Sequence, residues 1–224
     1  MTEPPRNRRT ERTRTALIAA GRQLFSERPV DAVTVDDIVQ AAKVGKGSFY
    51  NHFPDRDALL RVISGEIRAR VEHAVARANA DVGDPAMRVA RAMCVYLRCA
   101  VDDPERAGVL ARVQSGAVSL TAPLNRGLVD DIAKGLATAR FSVATLETGV
   151  LYVLGVTQIA LIRVLEEPKA SVAIGLAQQM CALVLRGLSV APTSADLIAA
   201  QASDEIVRQA AFADVFHEKS GASH

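Results

Sequence analysis

This sequence of 224 residues has no tryptophan, three tyrosines and six phenylalanines, so aromatic residues make up only 4% of it. An aromatic cage around a large flat ligand is therefore poorly supplied. The three cysteines, Cys94, Cys99 and Cys181, form neither a ligand-spaced cluster nor an even disulfide framework. They fit a reducing compartment and the packing of a core. The four histidines, His52, His73, His217 and His224, are scattered, and no glycine-serine-glycine elbow occurs. Glu66, Glu72 and His73 read as solvated positions of a helix. No catalytic residue, metal site or cofactor is expected, and the chain is not read as an enzyme. Strand-like alternation is also missing, which argues against a sheet-based fold. No apolar stretch of the signal-peptide kind follows the start. The longest apolar run, Gly149 to Leu165, is interrupted by Thr157, Gln158 and Arg163 and reads as a buried helix that falls short of a membrane span. The formal net charge is only +2, so positive charge is local: Arg6, Arg8, Arg9, Arg12 and Arg14 stand against Glu3 and Glu11.

What is present is helical periodicity, with 49% hydrophobic and 23% charged residues, enough for a proper core. From Thr10 to Glu27, Leu17, Ile18, Gly21, Leu24 and Phe25 share one stripe, and Pro29 ends the helix. Pro54-Asp55 breaks and recaps the chain before a helix from Arg56 to about Ala80, whose apolar face carries Leu60, Ile63, Ile67, Val71, Ala74 and Ala78. At 1.5 Å per residue this rod is about 37 Å long, enough to connect two domains. Asp84-Pro85 and Asp103-Pro104 each pair an N-cap with proline at the first helical position, opening helices to about Val101 and Gln114. Ser115, Gly116, Thr121 and Pro123 mark a loop. Further helices are expected from Leu124 to Ala139, Ser142 to Glu166, Ala170 to Leu188 and Pro192 to about His217.

The most informative stretch is Thr34 to Phe53, which reads as two short helices joined by a tight turn. Thr34 is an N-cap with Asp37 three residues on, and Val33 stands ready to staple against Ile38. The first helix starts at Val35 and buries Ile38, Val39 and Ala42. Lys43-Val44-Gly45 makes the turn, with Val44 as an apolar plug. The second helix opens at Gly45, turns Phe49 and Phe53 inward, and presents Lys46, Gly47, Ser48, Tyr50, Asn51 and His52. Lys46 adds charge to backbone N–H groups that already attract phosphate. Gly47 allows close backbone approach to a groove. Ser48 and Asn51 suit base edges or phosphate, while Tyr50 and His52 can donate to phosphate oxygens. A phosphate-loop reading of GKGS fails, because that motif needs glycine where Gln40 stands and a hydroxyl where Gly47 stands.

The segment from Leu17 to Leu60 resembles the tetracycline-repressor (TetR) family of bacterial transcription regulators, on Thr34, Ile38, Ala42, Val44, Gly47, Tyr50, Phe53, Arg56 and Leu59. Two positions depart from the family pattern. Lys43 replaces the turn glycine, where a left-handed backbone would cost lysine on the order of 1 kcal/mol. Gly45 replaces a capping serine, a loss of only about a few tenths of a kcal/mol. A phosphate contact at position 45 is then left to its backbone N–H, and Lys43 is a replacement donor. The resemblance implies DNA contacts from Thr34, Lys43, Gly45, Lys46, Gly47, Ser48, Tyr50, Asn51 and His52.

The fold expected is all-α: a basic arm at 1–9, a three-helix helix-turn-helix domain at 10–55, a ligand-binding and dimerisation domain at 56–218, and a tail at 219–224. The helices at about 142–166 and 170–188 are apolar nearly all round and must be covered on both sides. A second copy of the chain is the simplest cover, and the resemblance implies the same dimer. The resemblance also implies a ligand among the helices from the rod onward, where Met93, Tyr96, Arg112, Tyr152 and Gln158 are the candidate contacts. The function expected is a homodimeric, cytoplasmic, nucleoid-associated repressor, released from a palindromic double-stranded operator by a small-molecule effector, without a membrane partner. Two alternatives stand beside it: a ligand-independent DNA-binding accessory protein, and a helical enzyme or partner-binding module.

Overall fold

A computed structural model describes residues 5–113, 120 and 125–209. Among the described residues the regular structure is helical and no strand occurs, as expected for an all-α chain. The order is α1 (Pro5–Glu27), a 3₁₀ turn (Val30–Ala32), α2 (Val35–Ala41), α3 (Lys46–Tyr50), α4 (Arg56–Ala78), α5 (Pro85–Asp102), α6 (Pro104–Arg112), α7 (Arg126–Ala137), α8 (Leu146–Glu166), α9 (Ala170–Gly187), α10 (Pro192–Ala202) and a wide π turn (Ser203–Arg208). Helix α1 packs on α2, α3, α4 and α6, while α5 is surrounded by α4, α6, α7, α8, α9 and α10.

The N-terminal unit closes over Leu17, Phe25, Val33, Ile38, Phe49 and Leu59, all fully buried. Burying each such side chain contributes about 1.5–3 kcal/mol. Helix α5 sits at the centre because its residues suit two packed sides, with Val89, Met93, Cys94, Leu97 and Cys99 all buried. The Cys94 and Cys181 sulfurs lie 3.9 Å apart in this core. The neighbouring thiol and burial both hold Cys94 protonated, which suits packing.

Several expected boundaries shift, each for a local reason. Helix α1 opens at Pro5, inside the stretch read as an arm, because nothing between Arg6 and Arg14 breaks a helix after a proline at its first turn. Helix α8 opens at Leu146 rather than Ser142, since Thr145 and Thr148 form a reciprocal capping box. Ser142 is instead tied to the end of α9: its N–H donates to the Leu188 carbonyl at 3.0 Å, and its own carbonyl accepts from Ser189 Oγ at 2.8 Å. Helix α10 ends at Ala202, where the chain widens into the π turn and Ser203 Oγ donates to the Ile174 carbonyl at 3.2 Å. The loop read at 115–123, apart from Leu120, and the segment beyond Gln209, with the expected helix end and tail, lie outside the described residues. By length and composition α8 and α9 could each cross a membrane, contrary to the expectation for the run at 149–165. Here both pack against α5 and against each other.

Candidate nucleic-acid interface and interior cavity

The reader is built from local chemistry. The Thr34 hydroxyl accepts the Asp37 N–H at 3.1 Å and donates to the Asp37 carboxylate at 2.7 Å, while that carboxylate accepts the Thr34 N–H at 2.9 Å. These bonds from Thr34 hold Asp37 below the usual carboxylate range. The Thr34 hydroxyl is thus engaged within the cap. Helix α2 ends in a Schellman pair, Val44 N–H to the Val39 carbonyl and Lys43 N–H to the Gln40 carbonyl. That closure puts Lys43 at φ 54°, the left-handed position expected of it, with its side chain exposed.

Helix α3 buries Phe49 and, just beyond its end, Phe53, whose rings lie 5.8 Å apart. The opposite side is wet. Lys46, Gly47, Tyr50 and Asn51 are exposed, and Ser48 and His52 are half-buried. A Cβ added at Gly45 or Gly47 would meet nothing within 4 Å, so neither glycine is demanded by the chain's own packing. Their bareness matters only to something approaching from outside.

Two contacts beside this surface escaped the sequence reading. Asp36 on α2 pairs with Lys46 Nζ at 2.8 Å, and that bond raises the lysine pKa. Arg56, at the start of α4, donates to the Val30 and Val33 carbonyls at 2.9 and 3.1 Å, clamping the reader to the rod. Sequence spacing alone could not join positions ten and twenty-six residues apart.

Behind the reader, α4, α5, α6, α7 and α8 border a partly open cavity of about 540 Å³. Met93, Tyr96 and Gln158 stand on its wall. Arg112 and Tyr152 do not, which corrects their selection as wall residues. Arg112 turns back along α6 to donate to the Gly108 carbonyl at 3.2 Å. Tyr152 faces α9, where its hydroxyl donates to the Leu183 carbonyl at 3.1 Å and its ring fills the space a Cβ of Gly187 would need. One residue on a helix turns the side chain by about 100°, enough to move Tyr152 off the wall that Leu151 joins.

The wall also includes Arg68, Glu72, Arg88, Asp131 and Thr157, none of them expected there. Glu72 is therefore not a solvated position. Its carboxyl accepts from the Tyr96 hydroxyl at 3.1 Å. Burial pushes the Glu72 pKa up, against the lowering effects of that bond and of Arg68. Burial, with Glu72 nearby, holds Tyr96 firmly in its phenol form. Arg68 and Glu72 are four residues apart and share a helix face, a spacing that was legible but ambiguous between water and interior. Two wall residues hold the end of α6: Gln158 Nε2 donates to the Ala111 carbonyl at 2.7 Å and Arg68 to the Val113 carbonyl at 2.8 Å. The front of α6 is tied to α1 by the Arg22–Glu105 ion pair at 2.5 Å.

An apolar strip remains uncovered on α8 and α9, and it runs into the cavity wall at Leu151 and Ile159. Leu151, Tyr152 and Ile162 are more than a third exposed, Ile159 is 63% exposed and Leu183 52%.

Residues 17–63 match the family model for the tetR family of bacterial regulatory proteins. The transcriptional repressor DhaR of Mycobacterium sp. (strain GP1) is 35% identical over 72 residues, which are 32% of this chain and 36% of DhaR. The transcriptional regulator HbdR of Aromatoleum sp. (strain CIB) is 33% identical over 102 residues, 45% of this chain and 44% of HbdR. The chain thus spans less than half the length of these relatives. Among solved structures, RolR in complex with resorcinol is 28% identical, covers 87% of this chain and 96% of its own, and superposes with a TM-score of 0.65. A gamma-butyrolactone receptor at 19% identity and a TM-score of 0.59, covering 88% of this chain and 98% of its own, shares the fold.

Proposed function

We propose that this chain, whose residues 17–63 belong to the tetR family of bacterial regulatory proteins, is a homodimeric, cytoplasmic repressor that a small molecule releases from a palindromic operator. The observation that carries this reading is the double engagement of α6. Its front docks on α1 of the reader through Glu105, while Leu110 and Val113, at and just past its end, join the cavity wall and its last carbonyls are held by Gln158 and Arg68. A molecule that fills the cavity competes with those two side chains and shifts the helix on which the reader rests. Helix α4 gives a parallel route, from Glu72 and Val75 on the wall to the Arg56 clamp. A hundredfold change in DNA affinity needs only about 2.7 kcal/mol of coupling, within the usual range.

Exposed Lys46, Gly47, Tyr50 and Asn51 form the reading surface, with Ser48 and His52 at its edge and Lys43 beside it. One short helix buries too little for operator affinity, so two copies about 34 Å apart read a palindrome and sum their free energies. The uncovered strip of α8 and α9 supports pairing of two chains there, as a continuous four-helix interface. A ligand-independent accessory role would need the same reader but no cavity. The 540 Å³ interior favours the ligand-responsive reading.

The test is fluorescence anisotropy on a duplex recovered by selecting genomic fragments with the purified protein, beside sedimentation. Expected are two chains in solution, reduced to one by Leu183→Glu on the exposed strip, and DNA binding abolished by Lys46→Ala with Tyr50→Ala. Binding that survives the double substitution, or a lone chain at DNA-binding concentrations, overturns the proposal.

A further inference from the structure

Among the described residues, the charged groups on the cavity wall are two guanidinium groups, Arg68 and Arg88, and two carboxyl groups, Glu72 and Asp131, which balance formally. Two of the four, Arg88 and Asp131, are largely engaged by the protein itself. Arg88 is paired with Asp131 and also donates to the carbonyls of Asn79 at 2.9 Å and Val82 at 3.3 Å. Arg68 gives one N–H to the Val113 carbonyl and, one helical turn from Glu72, opposes that carboxylate's charge. Glu72 is the open acceptor: a carboxylate offers about four acceptor positions, and among the described residues its hydrogen-bond donor is the Tyr96 hydroxyl. The Tyr96 oxygen, whose O–H is donated to Glu72 in a hydrogen bond, keeps acceptor capacity of its own. The remaining wall is mostly aliphatic, including Val75, Val89, Leu110, Leu128 and Leu154.

From this arrangement we infer that Glu72, backed by Tyr96, is the specificity-determining acceptor for a neutral ligand that has an apolar body and an O–H or N–H donor. The inference rests on the reading of the cavity as an effector site and names the chemistry that site selects. An anion entering the cavity meets Glu72 and Asp131 as well as the two guanidinium groups that balance them, so the wall offers it no net attraction. A donor-free molecule of the same shape leaves the Glu72 acceptor positions that Tyr96 does not fill desolvated and without a donor. A site built to pair a hydroxyl rejects the analogue lacking it far more strongly than a purely apolar site rejects a missing methylene. The volume suits a molecule larger than a single ring, since drug-sized ligand sites run from roughly 300 to 1,000 Å³.

Calorimetric titration with three probes of shared shape tests this: hexylresorcinol, its dimethyl ether, and hexylbenzoate. The first donates two hydroxyls, the second donates none, and the third is anionic. Wild-type protein is expected to bind hexylresorcinol at least about tenfold more tightly than the ether, with the benzoate weakest; tenfold corresponds to about 1.4 kcal/mol. Glu72→Leu is expected to erase or invert the order of hexylresorcinol and ether, and Glu72→Gln to weaken the preference while keeping the neutral acceptor oxygen. Equal binding of the donor and the ether to wild type, or a preference that Glu72→Leu leaves intact, overturns the inference and leaves the effector-site reading standing. A Val89→Trp substitution, which fills the cavity, separates the two. Binding that survives it lies elsewhere and overturns both, as does an absence of binding by all three probes. Should Glu72→Leu fail to fold, Glu72→Gln and the wild-type probe order still decide.

Discussion

Gly108 of α6 lies so close to Ser26 of α1 that a Cβ on the glycine would stand 3.3 Å from the Ser26 carbonyl oxygen and 3.4 Å from its Cβ. The absent side chain is what lets the helix bordering the cavity seat directly on the backbone of the reader's brace. Rigid elements packed at this distance transmit displacement instead of absorbing it.

Gly108→Val is accordingly expected to pry α6 from α1. DNA affinity should fall by about tenfold, or ~1.4 kcal/mol, while calorimetric binding of hexylresorcinol changes little, because the valine sits outside the cavity. Unchanged anisotropy titrations on the selected duplex would remove this contact from the coupling path.

A second glycine tests packing alone. A Cβ on Gly135 would lie 1.9 Å from Phe141 Cδ2, and Phe141 is held in place as its N–H donates to the Gly135 carbonyl. Gly135→Ala should destabilise the protein by about 1–3 kcal/mol through overpacking. At about 2–4 °C per kcal/mol for a chain of this size, melting should fall by several degrees. An unaltered melting curve contradicts the observed α7–Phe141 contact.

On the reader, Lys46→Ala removes one cation whose partner in the free protein is Asp36. The slope of log affinity against log salt should flatten by about one, with similar weakening on every duplex. Tyr50→Phe keeps the ring, which stacks edge-on to Phe49, and removes only the exposed hydroxyl. It should weaken operator binding with no shift in melting. Equal binding by both proteins strikes Tyr50 from the contact surface.

Glu72 gives a pH signature. Burial raises its pKa above the ordinary glutamate value of 4.5, so the folded chain holds this proton to higher pH than the unfolded one. Stability must then fall as pH rises from that ordinary value to the raised one, and the full cost persists above it. Glu72→Gln should therefore melt higher than wild type at neutral pH, and the gap should close as the solution is acidified toward the ordinary glutamate range. A gap that widens on acidification reverses the assignment.

Much of this was legible because it is decided within a few residues. Thr34 with Asp37 announces a helix start, Asp84-Pro85 and Asp103-Pro104 do the same, and the four-residue spacing of Phe49 and Phe53 orients α3. The same locality misled at Ser142, whose capping chemistry is sound but whose hydrogen bonds go to the end of α9. Glu72 was equally ambiguous: a carboxylate on a helix reads as wet unless Tyr96 from another helix arrives over it.

The sequence by itself determined the helical class, most helix starts and the wet face of the reader. Those depend on caps, prolines and 3.6-residue periodicity, interactions that close over one or two turns. Only the tertiary structure decided which side chains share a cavity, that Tyr152 faces α9 instead, and that α6 lies on α1 through a bare glycine. Those outcomes depend on how helices distant in the chain rotate against one another, and a rotation of about 100°, one residue's worth, carries a side chain from the interior to a neighbouring helix.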